Sequence, residues 1–153
     1  LILPGGFPEQ HLADLSANSE LRAQIHELAG HAPVQAECGG LAYLMADLDG
    51  HPMCGVLAGS ARFTSRLTLG YREAVAVCDS SLHAAGQRVV GHEFHRTTAE
   101  FTDAPEPAWA FRHHDGQPVR RVRSTPGGCM RRICTPTRSP NRSRSLDLSR
   151  TQP

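Results

Sequence analysis

Cys38 stands in the run Glu37-Cys38-Gly39-Gly40, after the apolar stretch Ala32-Pro33-Val34-Gln35-Ala36 and before Leu41-Ala42-Tyr43-Leu44-Met45. The first stretch reads as a short buried strand and the second as the start of a helix, which puts the thiol on the sharp turn between them. A thiol so placed is exposed, sits near the positive end of a helix dipole and is favoured as a nucleophilic thiolate. Side chains at 39 and 40 would block a substrate carbonyl, and the Gly39 amide can point at the oxyanion that attack creates. Gly5 and Gly6, which follow the apolar Leu1-Ile2-Leu3, can supply a second backbone donor to the same oxyanion. Parallel strands would bring both glycine turns to one sheet edge, where open α/β sheets place their ligands. By spacing alone, the pattern suits either a nucleophile or a structural turn.

The other reactive residue types point less sharply. Five cysteines, at 38, 54, 78, 129 and 134, show neither CxxC spacing nor the pairing of a disulfide framework, and Cys54 and Cys78 read as small buried hydrophobes. His92 and His95 in Gly91-His92-Glu93-Phe94-His95 are one residue short of the H-E-x-x-H zinc pattern, so no metal site is expected. His11, His26, His31, His51, His83, His113 and His114 are expected to be structural.

These residues need elements to hold them. Leu1 to Leu3 reads as a strand entering the Pro4-Gly5-Gly6 turn. From Gln10 to Ala29 the apolar residues Leu12, Leu15, Leu21, Ile25 and Leu28 recur at helical spacing, which predicts two successive helices, with Asn18 or Ser19 as a cap and Gly30 as the stop. Gly55 to Leu57, Leu67 to Leu69, Glu73 to Val77 and Gln87 to Gly91 read as short strands between Gly, Asp and Ser turns. The fold class is α/β, and no repeat period suggests a solenoid.

The chain has 153 residues, 39% hydrophobic and 20% charged, which suits one globular domain. Its longest apolar runs fall short of the roughly 18 residues that cross a bilayer, and no secretory signal is visible, so a cytoplasmic location without membrane contact is expected. All 16 basic residues are arginine. Residues 1–119 hold 7 Arg against 14 acidic residues, whereas residues 120–153 hold 9 Arg against Asp147 alone. The second segment has hardly any large apolar residue and cannot offset its ordering entropy by burial, so it is expected to be disordered. An interaction or nucleic-acid-binding module built on this Arg-rich tail is the alternative function; the lack of an aromatic for base stacking and a GC-rich coding bias argue against it.

Four blocks together carry a resemblance. They are Leu3-Pro4-Gly5-Gly6-Phe7-Pro8-Glu9, Ala36-Glu37-Cys38-Gly39-Gly40-Leu41-Ala42-Tyr43-Leu44, Leu67-Thr68-Leu69-Gly70-Tyr71-Arg72-Glu73 and Gly91-His92-Glu93-Phe94-His95-Arg96-Thr97. In this order, over roughly residues 1 to 112, the chain resembles the glutamine amidotransferase domain of cobyrinic acid a,c-diamide synthases, of the class I or triad type. The resemblance implies a partial amidotransferase-like, flavodoxin-like sandwich over 1–115, followed by the tail 116–153. It also implies that Cys38 attacks the side-chain amide of glutamine, that Gly5, Gly6 and Gly39 form the oxyanion and substrate-binding turns, and that the ammonia amidates corrin-ring carboxylates in cobalamin biosynthesis. ATP and magnesium would act in a separate synthetase domain, through which the corrinoid is met; no G-x-x-x-x-G-K-S/T run exists here, so no cofactor is expected in this chain. Arg66, Tyr71 and Arg72 are expected either to touch the corrinoid or that domain, or to form a solvated strand edge.

The family's activating histidine sits near the domain's C-terminus in a motif similar to His-Ala-Ser-Tyr-Leu-His-Thr-His. Here the chain reads Cys129-Met130-Arg131-Arg132-Ile133-Cys134-Thr135-Pro136-Thr137. A permitted back-translation, TGC ATG CGT CGT ATC TGC ACA CCC ACC, yields that motif when read from its third base. The tail is therefore expected to be frameshifted and the chain inactive alone, with His95 the candidate substitute base and His92 lining the site.

Overall fold

The computed structural model describes residues 1–79, 83–102, 108–111, 120–122 and 131–132. Strand β1 (Ile2–Leu3) and strand β2 (Gln35–Ala36) pair in parallel, Ile2 opposite Gln35 and Leu3 opposite Ala36. Between them run a single 3-10 turn at Pro8–Gln10, helix α1 (Leu12–Ala17) and helix α2 (Ser19–Ala29). The two helices match the expected pair. Asn18 divides them because its side-chain oxygen accepts the Leu21 amide at 3.2 Å, satisfying a donor that helix geometry leaves orphaned. Ile25 and Ala29, one turn apart, are the buried residues of α2, and Gly30 ends it.

Helix α3 (Gly39–Leu44) follows β2 directly, and every residue from Gly40 to Leu44 is buried. A helix apolar all round belongs inside, and this one forms the centre of the main core. Leu41, Leu44, Met45 and Leu48 are its largest fully enclosed side chains, packed with Ile25, Val34, Ala36, Leu57 and Ala61.

Strand β3 (Met45–Leu48) and strand β4 (His51–Pro52) form a tight hairpin, and β3 also pairs in parallel with strand β5 (Leu57–Ala76). Strand β6 (Arg88–Phe101) runs antiparallel along one edge of β5; β3 and strand β7 (Trp109–Phe111) share the other edge. Ala74, Ala76, Trp109 and Phe111 make a second, smaller core. The architecture is mixed α/β, consistent with an amidotransferase-like fold. Two of its details differ from expectation. The strands expected at 67–69 and 73–77 merge into one 20-residue strand that begins at Leu57, the last residue of the strand expected at 55–57, and ends at Ala76, and the one expected to stop at Gly91 reaches Phe101. Residues 64–67 form a bulge opposite Arg96, and Gly70 lies within the ladder; both read locally as turns, yet cross-strand pairing carries β5 through them.

Within 116–153, the described residues form strand β8 (Arg120–Val122), beside β7, and strand β9 (Arg131–Arg132), antiparallel to β2. Backbone groups of open strand edges pair them, which needs no apolar side chain. Other residues of that segment, with His113, His114, Cys129 and Cys134, lie outside the described residues. No helix among the described residues is long and apolar enough to cross a membrane.

Helix α2 is tied to the loop before β5 by polar contacts. Arg22 Nη1 donates to the Met53 carbonyl at 3.0 Å, and His26 Nδ1 meets the Cys54 carbonyl at 3.0 Å. Cys54 is buried, as expected of it, whereas Cys78 is only half-buried. Burial pushes the Cys54 thiol up to about 11 and also raises Tyr43 beside it. A thiol that keeps its proton in the fold but loses it near pH 9 when unfolded favours the unfolded chain as pH rises through that window. Stability is therefore expected to be intact below pH 9 and to fall between about pH 9 and 11. Urea midpoints across this range check it: Cys54→Ala should flatten the decline, and an unchanged decline would refute the assignment.

Candidate active site

Cys38 adopts φ 49°, ψ −112°, a left-handed conformation that a side chain normally avoids. Such a residue costs on the order of 1–3 kcal/mol and persists only where its surroundings over-determine it. Here the surroundings are visible. The amides of Leu41 and Ala42 donate to the Cys38 carbonyl at 3.1 and 3.2 Å, and the Gly40 amide donates to the Glu37 carbonyl at 2.8 Å. Glu37, the acid beside the thiol, is engaged by Gln35 Nε2 at 3.0 Å.

The parallel pairing of β1 and β2 brings the two glycine turns together. A Cβ on Gly40 would fall within the contact shell of the Leu3 carbonyl, 2.8 Å from its carbon. One on Gly39 would stand 3.0 Å from Pro8 Cδ and 3.3 Å from the Gly6 amide nitrogen, and one on Gly5 would stand 3.3 Å from Cys38 Cβ. Gly5, Gly6 and Gly39, the expected oxyanion residues, thus lie together at the turn that carries the thiol, with Gly5 against the Cys38 side chain. Gly39, as the first residue of α3, has an amide with no acceptor inside its helix.

This turn opens on a cavity of about 480 Å³ lined by Gly5, Gly6, Phe7, Pro8, Glu37, Cys38 and Gly39 on one side. The β5–β6 ribbon supplies the other wall through Phe63, Leu67, His92, Phe94, His95, Arg96 and Thr97. Cys38 is half-buried with a free thiol. His95 Nδ1 lies 2.9 Å from the Thr97 carbonyl, and since a carbonyl only accepts, Nδ1 carries the proton. This bond selects the tautomer that leaves Nε2 free to accept. His92 and His95 are both wall residues, but they differ: His92 is exposed and His95 half-buried on the opposite face of β6.

Of the three residues expected at a contact surface or strand edge, Arg66 and Tyr71 are exposed, whereas Arg72 turns inward to Glu93. Sequence reasoning had no assignment for Phe63, Leu67, Phe94, Arg96 or Thr97 as wall residues. They are gathered by the bulge, where the Arg96 guanidinium donates to the Ser65 carbonyl at 2.6 Å. No local periodicity announces a four-residue bulge; the quoted block from Gly91 to Thr97 is the one signal that contained most of them.

Residues 1–132 match the CobB/CobQ-like glutamine amidotransferase domain family. Over 121 residues the chain is 63% identical to a hydrogenobyrinate a,c-diamide synthase of Mycobacterium bovis, covering 78% of this chain and 26% of that protein. A hydrogenobyrinate a,c-diamide synthase of Streptomyces coelicolor is 56% identical over 123 residues, 80% of this chain and 24% of that protein. A cobyrinate a,c-diamide synthase of Synechococcus is 43% identical over 122 residues, 76% of this chain and 26% of that protein. The chain spans about a quarter of the length of these relatives.

The strain at residue 38 and the contact at residue 40 predict opposite effects. Cys38→Gly should raise stability by roughly 1 kcal/mol, since glycine adopts that conformation freely and loses only part of the gain to chain entropy. Gly40→Ala should lower it by about 3 kcal/mol, because the obstacle is backbone and cannot swing away. Urea denaturation of both variants checks this, and an unchanged midpoint for Gly40→Ala would contradict the close approach.

Proposed function

Because the chain belongs to the CobB/CobQ-like glutamine amidotransferase domain family, we propose that it is the glutamine-hydrolysing part of an a,c-diamide synthase that amidates corrin-ring carboxylates. The observation that carries this reading is the strained backbone of Cys38, which lines one cavity together with Gly5, Gly6 and Gly39. The Cys38 sulfur attacks the side-chain amide carbon of glutamine, and backbone amides of the two glycine turns steady the oxyanion. The C–N bond then breaks, ammonia leaves with a proton taken from the thiol, and a thioester remains. Water cleaves that thioester to glutamate and restores the thiol. His95, which lines the same cavity with Nδ1 held by the Thr97 carbonyl and Nε2 left to accept, serves as the proton carrier. ATP and magnesium, acting in another part of the longer protein, activate the carboxylate that receives the ammonia. The corrinoid is met there as well.

The tail from about residue 116 is a product of a reading-frame change between about Arg112 and Cys129, which removes the family's own activating histidine. Glutamine hydrolysis by this chain alone is accordingly expected to be close to absent, so labelling is the sharper assay. A glutamine-shaped diazoketone should alkylate Cys38 in folded protein and leave the half-buried Cys78 unlabelled, with all labelling lost in Cys38→Ala. Peptide mapping by mass spectrometry reads the result, and labelling of Cys78 in preference to Cys38 would remove the nucleophile assignment. Sequencing the gene beside its near relatives tests the tail: an uninterrupted frame in relatives that also encode Cys129 to Thr137 would refute the frame change.

A further inference from the structure

Between the bulge at 64–67 and the small core around Trp109, the β5–β6 ladder carries no buried side chain on either face. Leu69, Tyr71, Val90 and Phe94 are exposed on one face, and the other face is half-buried. Register in such a stretch is weakly specified by burial, yet a slip of one residue turns every side chain to the opposite face. His95 lies in this stretch, opposite Thr68.

One arrangement in the stretch exists only in the observed register. Arg72 lies opposite Gly91, and Glu93 lies opposite Gly70, so each charged side chain faces a residue without one. The two cross diagonally and meet, Arg72 Nη2 to Glu93 Oε2 at 2.7 Å, with side chains 10% and 17% exposed. By contrast, Arg62 and Asp47 approach only to 4.0 Å with Arg62 58% exposed. The guanidinium fills the space over Gly70: a Cβ there, at φ 155°, would stand 2.8 Å from Arg72 Nη1. Arg72 Nη1 also donates to the Tyr71 carbonyl at 2.9 Å. A slipped strand would set a side chain against this desolvated charge and part it from its carboxylate, which is far costlier than losing a surface pair.

We propose that Gly70, Arg72, Gly91 and Glu93 are positioning residues that lock the β5–β6 register and thereby hold His95 opposite Thr68 in the wall of the Cys38 cavity. The next same-face pair along the ladder is Thr68 and His95, about 7 Å away at two strand residues. The proposal rests on the reading of His95 as proton carrier, but its test does not require turnover. Imidazole 15N spectra of the full chain report which nitrogen holds the proton, and His26, held by the Cys54 carbonyl on α2, is an internal control. Glu93→Gln should collapse the His95 signature to the average of both tautomers while His26 stays unchanged, and the exchanged pair Arg72→Glu with Glu93→Arg should restore it. Gly70→Ala, which leaves every charge in place but pushes the guanidinium aside, should reproduce the loss. An unchanged His95 in Glu93→Gln, or His26 and His95 shifting together in both Glu93→Gln and Gly70→Ala, would overturn the lock. Diazoketone labelling of Cys38 in the wild-type sample is read separately, so failure of the nucleophile reading is distinguishable from failure of the lock.

Discussion

The Leu3 carbonyl and the Gly40 backbone approach so closely that only a hydrogen fits between them. That contact fixes how far α3 stands from β1, and α3 is the centre of the core. With β1 and β2 parallel, the chain leaves both strands at the same end, and the two glycine turns must share one small volume. Cys38 is where the accommodation is made. Its left-handed backbone lets β2 pass into α3 within two residues, so the strain is a geometric consequence of packing strand, turn and helix this tightly.

The opposite wall obeys a different logic. The β5–β6 ribbon extends beyond the main core, and packing specifies its middle hardly at all. Its apolar side chains Leu69, Tyr71 and Val90 are exposed, Phe94 on the same face lines the cavity, and the other, half-buried face presents Thr68, Glu93, Arg72 and His95. Order there comes from backbone ladder bonds, the bulge held by Arg96, and one ion pair set between glycines. The site is thus assembled from a rigid half, dictated by close backbone contact, and a ribbon half, dictated by polar specificity.

Membership of the glutamine amidotransferase family accounts for why these halves meet. Two loops from one sheet and a ribbon from another enclose a single cavity between them. The chain spans about a quarter of the length of its relatives.

The amino-acid sequence by itself determined the rigid half. Apolar runs of strand length ending in Gly-Gly, helical spacing from Gln10 to Ala29, and Asn18 as a cap are local rules, and the order β1, α1, α2, β2, α3 follows from them, although β2 shortens to Gln35–Ala36 and Met45 leaves the helix to open β3. Cys38 and its glycines were legible because a strand-turn-helix unit constrains residue types within a few positions. Only the tertiary structure decided the ribbon. Gly70 and the run Thr64 to Leu67 look like strand breaks, since nothing local shows the partner strand that carries β5 across them. The roles of Thr97, Arg96, Glu93 and Arg72 depend on which residue lies opposite which, and pairing between strands some 20 residues or more apart is fixed by register, a property that no single stretch of sequence holds.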